Sequence, residues 1–414
     1  MKKRQITERA KELVSYRFGR ITIITGARQV GKTTLVRKEF PDYKYISIED
    51  PAIVTTYKNM TAAQWNTLFP QAALDEIQKE PTLIETIKAA YDQYEDCRYI
   101  LLGSSQIRLL EKVRESLAGR CSLLEMFPLT LPELETNTLD DKLPTSLWQQ
   151  LLSGEKPELL PSLSLHPRCS EISKAWNHLT TYGGYPAISD EELTDNDRFL
   201  WLTNYVRTYL ERDIRDLANI RHLEPFVRLQ QIMALRTGGI LNANDIANEI
   251  NVSVKTVQRF IQYLEISYQT LRLPAWFANK EKRLVKSPKL HMLDYGVTQA
   301  VLKKRGGMTG AEFESIIISE LYKQAKNAGA EVSFYHLRTP DGMEVDLLVE
   351  MQDGFYAFEV KQSEHVTRND TRHLLKLPAI LNKPVIHSFI LSNDVQTQHF
   401  GENITAVSAQ YFLG

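Results

Sequence analysis

Three sets of residues in this chain have types and spacings suited to chemistry. In the first, Gly26, Gly31, Lys32 and Thr33 satisfy G-x-x-x-x-G-K-[ST], the P-loop. The loop Gly26, Ala27, Arg28, Gln29, Val30, Gly31, Lys32, Thr33 and Thr34 would present N–H groups to phosphate oxygens. Lys32 adds a point charge for the terminal phosphates, and Thr33 a hydroxyl ligand for Mg²⁺. In the second set, Asp75 and Glu76 close the apolar run Ala72-Ala73-Leu74. Asp75 is expected to hold Mg²⁺ through its waters and Glu76 to orient or deprotonate an attacking water. The plainer alternative is that both carboxylates cap the helix that follows. In the third, Asp346, Glu359 and Lys361 flank an Asp353-Gly354 turn. A two-residue turn sets Gln352 opposite Phe355, hence Asp346 opposite Lys361 and Leu348 opposite Glu359. Side chains two apart share a face, so the three converge. They would hold a divalent metal and activate water, with Glu314 or Glu320 completing the set; a cross-strand Asp–Lys ion pair without metal accounts for the pattern equally well.

The elements that must position these groups are legible in turn. Ile21, Ile23 and Ile24 make a buried strand leading into the loop, and Thr33 to Phe40 a helix leading out of it. A basic amphipathic helix near Thr7 to Tyr16 comes before them. Tyr43 to Ile48 alternates as a strand and, falling between the loop and Asp75, is expected to insert between their two strands. That favours ATPase over small-molecule-kinase architecture. Arg98 to Leu102 is another buried strand, with Ser104 at its C-terminal end placed to sense a γ-phosphate. Arg120 ends the run Ser116-Leu117-Ala118-Gly119-Arg120. On the residues alone it reads as a helix-dipole partner ahead of an arginine finger. Residues 136–170, rich in Leu, Pro and Ser, read as a variable insertion or linker, and Asp197 to Ala218 as a long helix.

Farther along, Asn244 to Ile250, a turn at Asn251-Val252 and a Ser253-capped helix to Ile266 have helix-turn-helix spacing. Val257, Ile261 and Leu264 would face the core, leaving Lys255, Thr256, Gln258, Arg259 and Gln262 outward for phosphates and base edges. Leu271 to Phe277 and Arg283 to Lys286 are the expected wing, and Lys280, Lys282, Arg283, Lys286 and Lys289 add positive charge. The same polar face also suits a protein-interaction module. A helix at Ala311 to Asn327 opens the last domain.

Composition sets the outer limits. At 414 residues the chain is long for one core, so two or three domains are expected. A net charge of -1, with 24% charged residues, forces neither a nucleic-acid nor a membrane partner. Cys97, Cys121 and Cys169 form no C-x-x-C pair, which argues against a zinc knuckle or disulfide framework and fits a reducing cytosol. No apolar run approaches the roughly 18 residues that span a bilayer, so a cytoplasmic location is expected.

Taken together, GARQVGKTTL at 26–35, LDEIQ at 74–78, LLGSSQ at 101–106 and SLAGR at 116–120 resemble the prokaryotic AAA-type P-loop ATPases with an appended domain of unknown function. The resemblance continues through YGGYPA at 182–187, TYLERDI at 208–214, LVKSPKLHMLDYG at 284–296 and EVD…EVK at 344–361. It implies ATP hydrolysis with Mg²⁺ in a homo-oligomer and raises Arg120 to an arginine finger. The expected fold is α/β: a P-loop parallel sheet at 1–135, an insertion and helical lid at 136–225, a winged helix at 226–300 and a PD-(D/E)xK-like, nuclease-like domain at 301–414. The expected function is an ATPase acting on DNA; the alternative is an ATP-dependent switch that binds protein partners and has no nuclease activity.

Overall fold

The computed structural model describes residues 1–17, 19–103, 116–210, 223–279 and 286–414. Ser104, the 211–218 part of the expected long helix, and Lys280, Lys282 and Arg283 lie outside the described residues. Five strands, β1 (Ile21–Gly26), β2 (Lys44–Ser47), β3 (Gln71–Asp75), β4 (Arg98–Gly103) and β5 (Cys121–Met126), form a parallel sheet in the order β2-β3-β4-β1-β5. Both faces of such a sheet are covered, so β1 is buried throughout. Ile21 and Ile23 enter one core with Leu74 and Leu101, while Ile24 enters the other with Leu35 and Leu124. Around the sheet lie α1 (Ile6–Ser15), α2 (Lys32–Glu39), α3 (Pro51–Lys58), α4 (Ala62–Leu68) and α5 (Leu83–Gln93).

A strand does insert between β1 and β3, but it is β4. The Tyr43-to-Ile48 run becomes β2 at the sheet edge, which corrects the expectation. Lys44 is exposed and Tyr45 and Ser47 are half-buried, whereas Tyr99 to Gly103 are buried without interruption, as an internal strand requires.

Residues 136–170 also differ from a linker. After α6 (Leu131–Glu135), α7 (Leu147–Leu152) is pinned by Trp148, which is fully buried, donates its indole N–H to Leu321 O at 2.9 Å and packs edge-on against Tyr356 and Phe358. The backbone N–H of Thr397 donates to Pro161 O at 2.8 Å, tying down the end of this strap. Leu and Pro here satisfy a distant surface that local pattern does not reveal.

Two helices, α8 (Cys169–Tyr182) and α9 (Asp195–Tyr205), lead to a helix–turn–helix unit. It comprises α10 (Glu224–Leu235), α11 (Ala243–Ile250), α12 (Val254–Ile266) and an antiparallel sheet of β6 (Gly239–Ile240), β7 (Thr270–Leu273) and β8 (Lys289–Met292) in the order β6-β8-β7. β7 pairs with Lys289 to Met292, and of the expected Arg283-to-Lys286 half of the wing all but Lys286 lies outside the described residues.

Beyond α13 (Tyr295–Leu302), α14 (Gly310–Ala328) packs against a mixed sheet of β9 (Ser333–Arg338), β10 (Glu344–Glu350), β11 (Phe355–Lys361), β12 (Val385–Ser392), β13 (Gln398–His399) and β14 (Ile404–Ser408), closed by α15 (Ala409–Leu413). A Thr309/Glu312 capping box starts α14 and Gly329, at φ 68°, ends it. It is tied to the N-terminal domain, the 136–170 strap, the helix–turn–helix unit and the C-terminal helix. Glu320 accepts from Leu131 N at 2.6 Å, Ser315 meets Thr237 at 2.8 Å, and Gln324 accepts from Ser146 at 2.6 Å and donates to Leu413 O at 2.8 Å.

Candidate nucleotide site, helix–turn–helix face and carboxylate cluster

The Gly26-to-Thr34 loop leaves the C-terminal end of β1 and enters the N-terminus of α2. Gly31, at φ 97°, forms the left-handed N-cap, and a Cβ on Gly26 would fall 2.1 Å from Met126 O, so both glycines are required by the backbone path. Lys32 is buried and donates to Gly26 O at 2.9 Å and Ala27 O at 2.7 Å. Thr33 donates to Asp75 Oδ2 at 2.6 Å, bringing the first and second residue sets together across β1, β4 and β3. A hydroxyl and a carboxylate side by side at this point are hard oxygen ligands suited to Mg²⁺. Glu76 sits at φ 57° just past β3, an uncommon conformation for a non-glycine residue, and accepts from the Gln78 amide. A cleft of about 550 Å³ opens here, lined by Arg28 to Thr34, Asp75, Glu76, Arg4 and Pro186.

Several residues that hold this loop escaped the sequence reading. Tyr45 donates to Asp75 Oδ2 at 2.7 Å, and burial, followed by the Asp75 contact, pushes its phenol up to about 12. Arg4 is buried, donates to Val30 O and Phe127 O at 2.7 Å each, and pairs with Glu133 at 3.1 Å. Tyr205 donates to Arg28 O at 3.2 Å. Thr25, the residue before Gly26, has its hydroxyl 2.9 Å from that of Tyr268, which donates to Glu125 at 3.3 Å. Tyr268 lies just beyond α12, at φ 60°. Of these, only the alternation around Tyr45 carried a local signal.

Arg120 is far from its own chain's loop. It precedes β5, whose first residue Cys121 pairs with Ile21, while the loop begins at Gly26 at the opposite end of the sheet. Its guanidinium donates to both Asp92 oxygens, at 2.7 and 3.3 Å.

On the helix–turn–helix unit, Lys255, Gln258, Arg259 and Gln262 are exposed, and Val257, Ile261 and Leu264 are buried with Phe226 and Phe260. The exposed side chains line a groove of about 940 Å³ shared with Arg272 and Lys286. Lys289 is not part of this face. It is 3% exposed and points the other way.

The third set meets Lys289. The β10–β11 loop is four residues long, Met351 to Gly354, so Glu350 pairs with Phe355 and Leu347 with Phe358. One further step places Asp346 opposite Glu359, not Lys361: the expected register is off by two, and an even shift keeps the side chains on the expected face. Asp346 accepts from Val360 N at 2.8 Å, and Lys361 pairs with Glu359 at 2.7 Å. Lys289 Nζ lies 2.7 Å from Glu344, 3.1 Å from Glu314 and 3.8 Å from Asp346. Glu320 is directed to the α6 side instead and does not complete the set. Burial, then the Asp346 charge, raises Glu314 to about 8 and Glu359 to about 7; burial likewise raises Asp346. Burial alone would lower Lys289, but Glu314 and the other carboxylates hold it above the ordinary range. Among the described residues, no group of three or more His, Cys, Asp or Glu side chains is arranged to hold a metal ion. No described helix is long and apolar enough to cross a membrane.

Comparison with known proteins matches three segments of the chain. Residues 19–135 match an AAA domain, 173–306 a domain of unknown function (DUF8612) and 309–412 another (DUF4143). Uncharacterized proteins of Mycobacterium tuberculosis (Rv2008c) and Mycobacterium bovis (Mb2031c) are each 27% identical over 409 residues, covering 95% of this chain and 83% of theirs. Among solved structures, the Walker-type ATPase paby2304 of Pyrococcus abyssi is similar with a TM-score of 0.45 at 13% identity, over 72% of this chain and 94% of that one. The loop, the Asp75-bearing strand and the sheet that joins them are thus those of an N-terminal AAA domain, carried here on one chain with two domains of unknown function.

Proposed function

We propose that the chain binds and hydrolyses ATP with Mg²⁺ at the Gly26–Thr34 loop and uses that cycle to reposition a DNA-binding winged helix. In this reading Lys32 and the loop N–H groups hold the phosphates, Thr33 and Asp75 hold Mg²⁺, and Glu76, oriented by Gln78, accepts a proton from the attacking water. Mg²⁺ bridging the terminal phosphates would neutralise charge that develops during transfer.

The Thr25–Tyr268 contact carries the proposal. It joins the residue ahead of the P-loop to the end of the helix bearing Lys255 and Arg259. Lys32 bonds the carbonyls of Gly26 and Ala27, so engagement of its ammonium by phosphate would free those carbonyls next to Thr25. A shift there reaches α12 through one buried hydroxyl pair.

The test measures duplex DNA affinity with and without ATP, and ATP turnover with and without DNA. Affinity should fall steeply with salt, and each of Lys255→Ala and Arg259→Ala should lower the log–log slope by about 0.9. Tyr268→Phe should keep both activities but weaken their mutual effect, which linkage requires to be reciprocal for binding. DNA binding indifferent to the double Lys255→Ala/Arg259→Ala change would assign this face to a protein partner instead.

A further inference from the structure

The cluster on α14, β10 and β11 is closed by a cation from another module. Lys289 belongs to β8, whose backbone pairs with Leu273 of β7 and Ile240 of β6 in the helix–turn–helix sheet. Its side chain leaves that sheet and ends among Glu314, Glu344 and Asp346 of the C-terminal module. Glu359, 7% exposed, turns Oε1 to Lys361 while its buried Oε2 has no hydrogen-bond partner among the described residues. Four carboxylates thus gather around two ammonium groups.

We propose that Lys289 is a removable internal counter-ion: its ammonium takes the place a divalent cation would occupy, so that cation binding at this cluster and insertion of the Lys289 side chain exclude one another. Charge balance requires the exclusion. With Lys289 present, a second cation would meet an ammonium at contact distance. With Lys289 withdrawn, Lys361 is the remaining ammonium at Glu314, Asp346 and Glu359 among the described residues, a buried arrangement that is costly until another cation enters. Hard oxygen donors from three elements favour a divalent ion of the Mg²⁺ or Mn²⁺ type.

The sheet itself is firmly docked, so the exchange concerns the Lys289 side chain: Ser319 Oγ donates to Met292 O at 3.0 Å, His291 Nδ1 lies 3.0 Å from Ser315 Oγ, and Leu271, Leu273 and Met292 are buried in the main core. Trp276 N donates to His336 O at 2.7 Å, His336 N donates to Pro274 O at 2.9 Å, and Thr237 meets Ser315. Whether the Lys289 side chain is inserted therefore decides which cation the carboxylates hold. This differs from a site in which Lys361 alone serves a resident metal.

Mn²⁺ binding to the full chain without nucleotide, followed by electron paramagnetic resonance and calorimetry, tests the proposal. Lys289→Met should take up one Mn²⁺ per chain at least about tenfold more tightly than wild type and gain thermal stability with Mn²⁺. The added site should vanish in Lys289→Met/Glu359→Gln, which separates it from Thr33 and Asp75. Equal Mn²⁺ affinity in wild type and Lys289→Met, or a gain that survives Glu359→Gln, would overturn it. If Lys289→Met is unfolded on isolation, Mn²⁺ should restore its fold, and a chain that stays unfolded in millimolar Mn²⁺ would refute the exchange of one cation for the other.

Discussion

If Arg120 is a finger, it must work on a neighbouring subunit. Five strand steps separate the Cys121 and Met126 ends of β5, about 17 Å, beyond the span of an arginine side chain that is already directed to Asp92. Removing such a finger should cost about 10³–10⁵ in turnover with little change in ATP affinity. Arg120→Ala and Glu76→Gln should each be nearly inactive alone. In a one-to-one mixture, a competent site needs an Arg120→Ala subunit, with Glu76 intact, beside a Glu76→Gln subunit, with Arg120 intact. Random assembly around a ring makes about a quarter of interfaces competent, so turnover should recover to about a quarter of wild type. The assay is steady-state phosphate release across mixing ratios after co-refolding or subunit exchange. Absence of recovery at every ratio, with mixed assemblies verified by tagged pull-down, would refute the trans role. Full activity of Arg120→Ala alone would leave it a partner of Asp92 and nothing more.

Other expectations follow from the same geometry. Lys32→Ala should abolish ATP binding in a fluorescent-nucleotide titration, while Glu76→Gln should bind ATP normally and turn over about 10²–10⁴-fold more slowly; unchanged turnover would remove Glu76 from the chemistry. Trp148→Ala should cost about 3–5 kcal/mol in denaturant unfolding and expose 136–170 to protease, since a fully buried indole is lost between α14 and the C-terminal sheet. A cost under about 1 kcal/mol would return this strap to the status of a linker.

The nucleotide loop was legible because its chemistry and backbone path depend on residues close in sequence: Gly26, Gly31, Lys32 and Thr33 announce both. Asp75 and Glu76 were legible for a similar reason, at the end of an apolar run. Sheet order was not, since β2 and β4 differ in how their faces are covered, and coverage is a long-range property. The hairpin shows the limit from the other side. Asp353-Gly354 marks the turn, but the loop is four residues rather than two, and only the even difference preserved the face shared by Asp346, Glu359 and Lys361. Lys289 sat in a run of basic residues and was grouped with them, though its partners lie 25 to 57 positions later. Tyr268 and Arg4 gave no local hint at all.

The reach of α14 bears on how the chain is made. Leu131 N and Leu129 O, near the end of the AAA domain, find partners in Glu320 and Lys323, on a helix that ends at Ala328. A ribosome adding about 5–20 residues per second needs roughly 10–40 s to travel from the end of the first domain to the end of that helix. Throughout that interval the nascent N-terminal domain shows an unfinished surface. Its final docking is therefore deferred to late in synthesis, and a chain stopped before Ala328 should be a client for chaperones rather than a small working ATPase.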